Sequence, residues 1–155
     1  MAASSLAFPR RVFLPLMTTA ENIWSEREAP SLDDFEAMGK NAFAGLPQKF
    51  RTLVGAVTFA VSEFPDDDVL EELEAESPFD ILGLFQGVGL AHDYATPPTG
   101  TMPNRIWLYR RPILDYWAEH EESLGAIVSH VLIHEIGHHF GLSDDDMEAI
   151  EESAD

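Results

Sequence analysis

The most constraining feature of the sequence is an apolar helical segment near its C-terminal end, from about Ser123 to Phe140. Two histidines, His134 and His138, lie four residues apart within it, so a helix places both imidazoles on one face at neighbouring turns. Imidazole nitrogens arranged in this way can bind one metal ion, and Zn²⁺ accepts them at about 2.0 to 2.1 Å. A zinc site that keeps a position open for water has three protein ligands, so a third ligand is expected.

The third ligand is expected just after this helix. Gly141 follows His138 by three residues, where a residue without Cβ can take the left-handed conformation that reverses the chain. The reversal would bring Asp144 back toward the histidines, and we favour it as the third ligand. Three neighbouring carboxylates stay open as alternatives: Asp145, Asp146 and Glu148. A glutamate from a separate later helix is disfavoured, because only 17 residues follow His138.

The other polar residues of the segment are given different roles. Glu135 lies about 100° around the helix from His134, so it is a candidate general base for a metal-activated water rather than a ligand. His130 lies one turn before His134, but a rise of about 1.5 Å per residue puts it about 12 Å along the axis from His138. It is interpreted as part of the wall or core. His139 is turned about 100° from His138 and is interpreted as a packing or supporting residue.

Composition restricts both the ligands and the partners. The 155 residues include no cysteine, so any metal must be held by His, Asp or Glu, and disulfides are excluded. The formal net charge of -19 repels phosphate backbones and anionic lipid headgroups, so neither nucleic acid nor a membrane is expected as a partner. With no recognised secretion signal, a bacterial cytoplasmic location is expected. The oligomeric state is left open between a monomer and a homodimer.

The chain is expected to contain an N-terminal tail, residues 1–30, and one domain, residues 31–155. A helix is predicted from Ser31, where a capping serine is followed by apolar residues at helical spacing. Three segments rich in β-branched and aromatic residues are predicted to form the strands of one small sheet: Leu53–Val61, Ile81–Phe85 and Arg105–Arg110.

The remaining segments are predicted from charge and turn residues. Glu63–Asp80 carries no Lys or Arg and is interpreted as a solvated helix and loop. Ala95–Pro103, rich in Gly, Pro and Thr, is predicted to be a loop that leads into the third strand. A short helix is predicted near Ile113 to His120.

Five residues match the pattern HExxHxxGxxD: His134, Glu135, His138, Gly141 and Asp144. In a shuffled chain of this composition the five residues would occur at this spacing about once in ten thousand. The chain resembles the mini-zincins, small bacterial zincin-like metallopeptidases in which HExxHHFG stands near the C-terminus after a strand like IWLYRRP. The resemblance covers roughly Val54–Glu148.

The resemblance implies an α+β fold: a single zincin-like domain with a small mixed sheet packed on the active-site helix, plus an N-terminal helix. It implies one Zn²⁺ per chain on the two histidines and Asp144, with Glu135 polarising the water, and hydrolysis of a peptide or protein substrate. Larger relatives place a methionine turn beneath the zinc, but here Met147 follows Asp144 too closely to form one. Some mini-zincins use a C-terminal tyrosine there instead, and Glu151–Asp155 contains no aromatic residue.

Alternatives to an active peptidase stay open. One is a catalytically inactive zincin-like module that holds a protein or peptide partner in the same cleft. Another is a metal-free buried helix with hydrogen-bonded histidines, and a third is a peptidase blocked by its own residues 1–30. The third strand, Arg105–Arg110, is interpreted as a packed strand or, alternatively, as the sheet edge to which a peptide adds, as zincins generally bind substrate.

Overall fold

The computed structural model of the chain describes residues 23–87 and 104–154. The expected loop Ala95–Pro103 and most of the expected tail, residues 1–22, lie outside the described residues. The helices are α1 (Leu32–Ala44), α2 (Gln48–Val54), α3 (Asp67–Glu72), α4 (Arg110–Glu119), α5 (Leu124–His139) and α6 (Asp144–Ser153). The strands are β1 (Val57–Ser62), β2 (Gly83–Gln86) and β3 (Asn104–Tyr109).

The three strands form one sheet in the order β1-β3-β2. Strand β1 runs parallel to β3, and β2 runs antiparallel to it. The registers place Phe59 of β1 and Phe85 of β2 on either side of Ile106, so apolar side chains form a row across one face. This mixed sheet, the N-terminal helix and the histidine-bearing helix confirm the predicted α+β class.

Helices α1 and α5 cover one face of the sheet and contact each other. On β3, Ile106 and Leu108 point to this face and are fully buried. Helix α5 contributes three fully buried side chains spaced four residues apart: Val128, Leu132 and Ile136. A four-residue spacing forms a stripe along a helix, so α5 is held against the core along its length. Its other faces carry the histidines and Glu135.

The first predicted strand is wrong at its start. Leu53 and Val54 belong to helix α2, which ends at Gly55, where φ is +72°. Phe50 and Val54 lie four residues apart and are both buried, which is the spacing of a helix packed on the core. A short apolar run does not distinguish a buried helix from a strand, and this is why the sequence predicted a strand.

The third predicted strand lies at the centre of the sheet, so its interpretation as a sheet edge is wrong. Strand β3 pairs with β1 on one side and with β2 on the other. The packed alternative is confirmed for Ile106 and Leu108, which are fully buried. Among the described residues, β1 and β2 each pair with only one strand, and of these two edge strands β2 is the one in extensive contact with the histidine helix α5.

Helix α4 begins at Arg110, directly after β3. The Arg110 side chain holds the segment that precedes α1 in place. The Arg110 guanidinium bonds both carboxylate oxygens of Glu63, at 3.2 and 3.0 Å, and its Nε donates to the Pro30 carbonyl oxygen. Trp24 packs on Trp117 of the same helix, with ring centroids 5.5 Å apart. Residues 23–30 therefore lie against α4.

The acidic segment after β1 forms the helix α3 and a 3-10 turn, Pro78–Asp80, with neither element buried. This confirms the predicted solvated helix and loop. In the parts of the chain that the structure describes, no helix has the length and hydrophobicity to span a bilayer.

Candidate metal centre

Helix α5 and the reversal that follows it set the geometry of the site. Ser123 caps the start of the helix, and its side chain accepts a hydrogen bond from the Ala126 amide. After its last turn Gly141 adopts a φ of +72°, and the Leu142 amide donates to the Gly137 carbonyl oxygen at 2.8 Å. The left-handed conformation predicted for Gly141 is therefore confirmed. The chain turns back at this point and begins α6 at Asp144.

Three histidines spaced four residues apart form a row along α5. The ring centroids of His134 and His138 are 5.8 Å apart, so the two predicted ligands lie on the same face of the helix. The ring of His130 lies closer to His134, with 4.0 Å between the centroids. His134 is therefore the middle member of two overlapping histidine pairs.

Asp144 is the first residue of α6 and is exposed. Its carboxylate lies near enough to His134 to act on the ring electrostatically, raising the pKa of that imidazole. Burial and the neighbouring His130 outweigh this effect, so the pKa of His134 is lowered from its ordinary value. A lowered pKa keeps His134 in the neutral form that binds metal ions.

Glu151 was missed as a site residue by the sequence reasoning. It lies on α6, and its carboxylate bonds His130 Nδ1 through Oε1 and places Oε2 at 3.9 Å from His134 Nε2. Helix α6 forms within the 17 residues that follow His138 and packs against α5, so the length of this segment leaves room for a carboxylate from a second helix. The available signal was Met147, an apolar residue four positions earlier that marks the face of α6 turned toward α5.

Glu135 lines a cleft of about 310 Å³ between α5, α4 and the chain that leads into β2. Its neighbours in the lining include Ile81, Leu82, Gly83, Tyr116, His130 and His134. Burial raises the pKa of Glu135 to about 7. A carboxyl with such a pKa can take up and release a proton near neutral pH.

Gly83 allows the edge strand to approach the helix. A Cβ at this position would lie 2.7 Å from Val131 Cγ1 and 3.6 Å from Glu135 Cγ. Because such a contact with Val131 is far below van der Waals distance, only glycine fits without a shift of β2 or α5. The backbone of β2 therefore lies directly beside Glu135.

Met147 and His139 support α5 from two sides. Met147 is fully buried and lies in helix α6 rather than in a turn, with its side chain against Gly137. The His139 ring lies 4.4 Å from the ring of Phe85 and packs edge-on against Phe140. The packing role predicted for His139 is confirmed.

The donor set fits a zinc ion, because neutral imidazole nitrogens and carboxylate oxygens are the ligands zinc takes where no thiolate is present. A family model described as zincin-like metallopeptidase matches residues 54–154. The matched range contains all three strands and both helices that carry the candidate ligands. No curated protein sequence matches the chain. Since the family match covers well over half of the sequence, the chain belongs to the zincin-like metallopeptidase family.

Proposed function

We propose that the chain is a zinc-dependent peptidase in which Glu135 is the general base. The observation that carries the proposal is the position of Glu135, which lines the same cleft as His134 and follows it directly on α5. Burial raises the pKa of Glu135 to about 7, and a general base works best when its pKa is close to the operating pH. Membership of a metallopeptidase family supports the same reaction class.

His134, His138 and Asp144 would hold the zinc ion. The two histidines share a face of α5, and Asp144 follows the reversal at Gly141. The lowered pKa of His134 favours the neutral imidazole that a metal requires. When bound, Zn²⁺ lowers the pKa of its water to about 7 and polarises the scissile carbonyl.

Glu135 would move the proton. A carboxylate oxygen of Glu135 accepts a proton from the attacking water and then passes it to the leaving amine nitrogen. Partial burial suits both steps, because it destabilises the charged carboxylate and makes protonation at neutral pH accessible. Glutamine has the same shape but cannot accept this proton, so it isolates the role of the side chain.

The edge of β2 that pairs with no other strand among the described residues would bind the substrate. Tyr109 N–H donates to the Leu82 carbonyl oxygen at 3.0 Å, so the polar backbone groups of Leu82 face β3. Backbone groups alternate along an antiparallel strand, and those of Gly83 and Phe85 therefore face the other edge. An extended peptide can add to such an edge through main-chain hydrogen bonds. At Gly83 the peptide would lie beside Glu135.

The proposal is tested by comparing wild type with Glu135→Gln on a mixture of unstructured peptides, with zinc content and cleavage measured together by mass spectrometry. We expect zinc-dependent cleavage by wild type and a loss of at least about a thousandfold in Glu135→Gln, with zinc retained. Glu152→Gln is the matched control, because it removes an exposed carboxylate on α6 that belongs to neither the proposed ligands nor their alternatives, and it should cleave normally.

Two results would contradict the proposal. Cleavage by Glu135→Gln at the wild-type rate would remove Glu135 from the mechanism. A zinc-loaded wild type that cleaves no peptide in the mixture would instead support an inactive module that only holds its partner.

A further inference from the structure

We propose that His130, His134 and Glu151 form a second divalent-metal site, which shares His134 with the zinc ligands proposed above. We call these three residues the α5–α6 set. The site goes beyond the proposed function, because it needs neither His138, Asp144 nor a substrate. Its chemical class is the same as that of a zinc site, with two imidazoles and one carboxylate.

The distances within the α5–α6 set suit a single ion. One ligand atom from each of the three side chains lies within 4.8 Å of the other two. Two ligands of a tetrahedral zinc ion, each at about 2.0 to 2.1 Å, are about 3.4 Å apart. His134 Nε2 and Glu151 Oε2 are 3.9 Å apart, while Glu151 Oε1 bonds His130 Nδ1 directly. A rotation of the glutamate side chain that opens its contact with His130 can bring both pairs to the separation that one ion needs.

The histidine rings of the α5–α6 set lie closer together than the two histidines of the other ligand set. His134 lies closer to His130 than to His138, with ring centroids 4.0 Å apart rather than 5.8 Å. Glu151 reaches both members of the closer pair, bonding His130 through one oxygen and facing His134 with the other. A carboxylate that bonds one imidazole and has its second oxygen turned toward another is a donor arrangement that an ion can enter from solvent.

The three side chains are accessible to a metal from outside the protein. The His130 side chain is 49% exposed, and those of His134 and Glu151 are 28% and 30% exposed. His130 and His134 also line the 310 Å³ cleft. The strong negative charge of the chain raises the local concentration of divalent cations around such a site.

The two sets compete for one residue. His134 Nε2 can serve one ion at a time, so an ion in the α5–α6 set leaves the other set with only His138 and Asp144. The consequence for experiment is that removal of His138 should weaken metal binding without abolishing it.

The test uses the full chain and Co²⁺, whose visible absorption reports ligand geometry, with Zn²⁺ as a competitor. Metal-free His138→Ala is titrated alone and in combination with Glu151→Gln or, as the matched control, Glu152→Gln, which removes an exposed carboxylate of the same helix. We expect His138→Ala to bind one Co²⁺ per chain. Adding Glu151→Gln should weaken binding at least tenfold, and adding Glu152→Gln should not.

Either of two outcomes would overturn the site. Equal Co²⁺ affinity in His138→Ala and its Glu151→Gln derivative would mean that Glu151 only pairs with His130. A folded His138→Ala that binds no Co²⁺ would mean that the α5–α6 set holds no ion. His138 is exposed, so its substitution should leave the fold intact, which circular dichroism can verify. These readouts involve no peptide, so they succeed or fail independently of the peptidase proposal.

Discussion

Met147 lies so close to Gly137 that a Cβ atom added at position 137 would fall 2.4 Å from the Met147 Sδ atom. Gly137 precedes His138 on α5, and Met147 lies between Asp144 and Glu151 on α6. Because glycine has no side chain, α5 and α6 can approach each other closely at Gly137. The positions of both carboxylates relative to the histidines depend on this contact.

Substitution of Gly137 by alanine should destabilise the protein. The added methyl group would meet Met147 Sδ and Cγ, and because Met147 is fully buried, its side chain or α6 must shift. Overpacking of this kind costs about 1 to 3 kcal/mol. Urea unfolding measures the change. Gly125→Ala is the matched control on the same helix, because nothing lies within 4 Å of its Cβ position, and it should be neutral or stabilising by up to about 1 kcal/mol. Equal effects of the two substitutions would refute the close approach.

Metal content should follow His134 more strongly than Asp144. His134 belongs to both proposed ligand sets, so His134→Ala should lose essentially all zinc, measured by mass spectrometry of metals after identical purification. Asp144→Ala should keep part of the wild-type content, because the α5–α6 set remains complete. Glu152→Ala, which removes an exposed carboxylate outside both sets, should match wild type. Zinc retained in full by His134→Ala would exclude both sets.

The stability of the metal-free protein should depend on the protonation of Glu135. Burial raises the pKa of Glu135 from 4.5 to about 7, so the folded chain binds this proton more tightly than the unfolded chain. The contribution of this proton to the free energy of unfolding is complete below pH 4.5 and is lost as the pH rises to about 7. The full shift corresponds to about 3 kcal/mol, an upper value because the carboxyl borders water in the cleft.

Glu135→Gln cannot titrate and isolates this effect. The difference in unfolding free energy between wild type and the variant should change by about 1 to 3 kcal/mol between acid and slightly alkaline pH. Urea unfolding in EDTA at a series of pH values provides the measurement. A difference that does not vary with pH would show that Glu135 ionises in the folded chain as it does in the unfolded one.

An N-methyl scan of a cleaved peptide should reveal pairing with β2. Added strands bond to an edge through every second residue, so methylation of alternate amides should lower kcat/KM while methylation of the amides between them has little effect. Loss of one hydrogen bond of about 0.5 to 1.5 kcal/mol corresponds to about a two- to tenfold decrease. A loss without this alternation would contradict substrate binding at the β2 edge.

Arg110→Ala should release the chain that precedes α1. The guanidinium bonds both Glu63 oxygens and the Pro30 carbonyl, so its removal should cost about 1 to 2 kcal/mol and increase amide exchange over residues 23–30. Lys40→Ala is the control, because Lys40 forms an exposed ion pair with Glu36 and should cost less than about 0.5 kcal/mol. Unchanged exchange in Arg110→Ala would assign the attachment to the Trp24 and Trp117 rings instead.

The helix that carries the histidines could be predicted because its signals are local. The spacing of His134 and His138, the apolar stripe and the left-handed Gly141 each depend on residues within one or two turns. The fold class and the presence of three strands followed from the same kind of pattern. The roles given to Glu135 and Asp144 stay predictions until activity and metal binding are measured.

The features that were missed depend on contacts between distant residues. Helix α2 exists because Phe50 and Val54 pack on the core, and the same apolar letters are compatible with a strand. The central place of β3 follows from the packing of two other strands, which sequence order does not encode. The position of Glu151 beside the histidines depends on the close contact of Met147 with Gly137. This contact forms only when α5 and α6 pack together, so the local sequence does not indicate it.

His134 and Glu151 belong to the consecutive helices α5 and α6. An ion bound by both residues would therefore close a loop of about 17 residues. A permanent bridge across a loop of this size reduces the entropy of the unfolded chain by the equivalent of about 3 kcal/mol. A metal ion would thus act as a reversible cross-link of the C-terminal helical pair. The rigidity of this part of the molecule would then rise and fall with the supply of free metal around it.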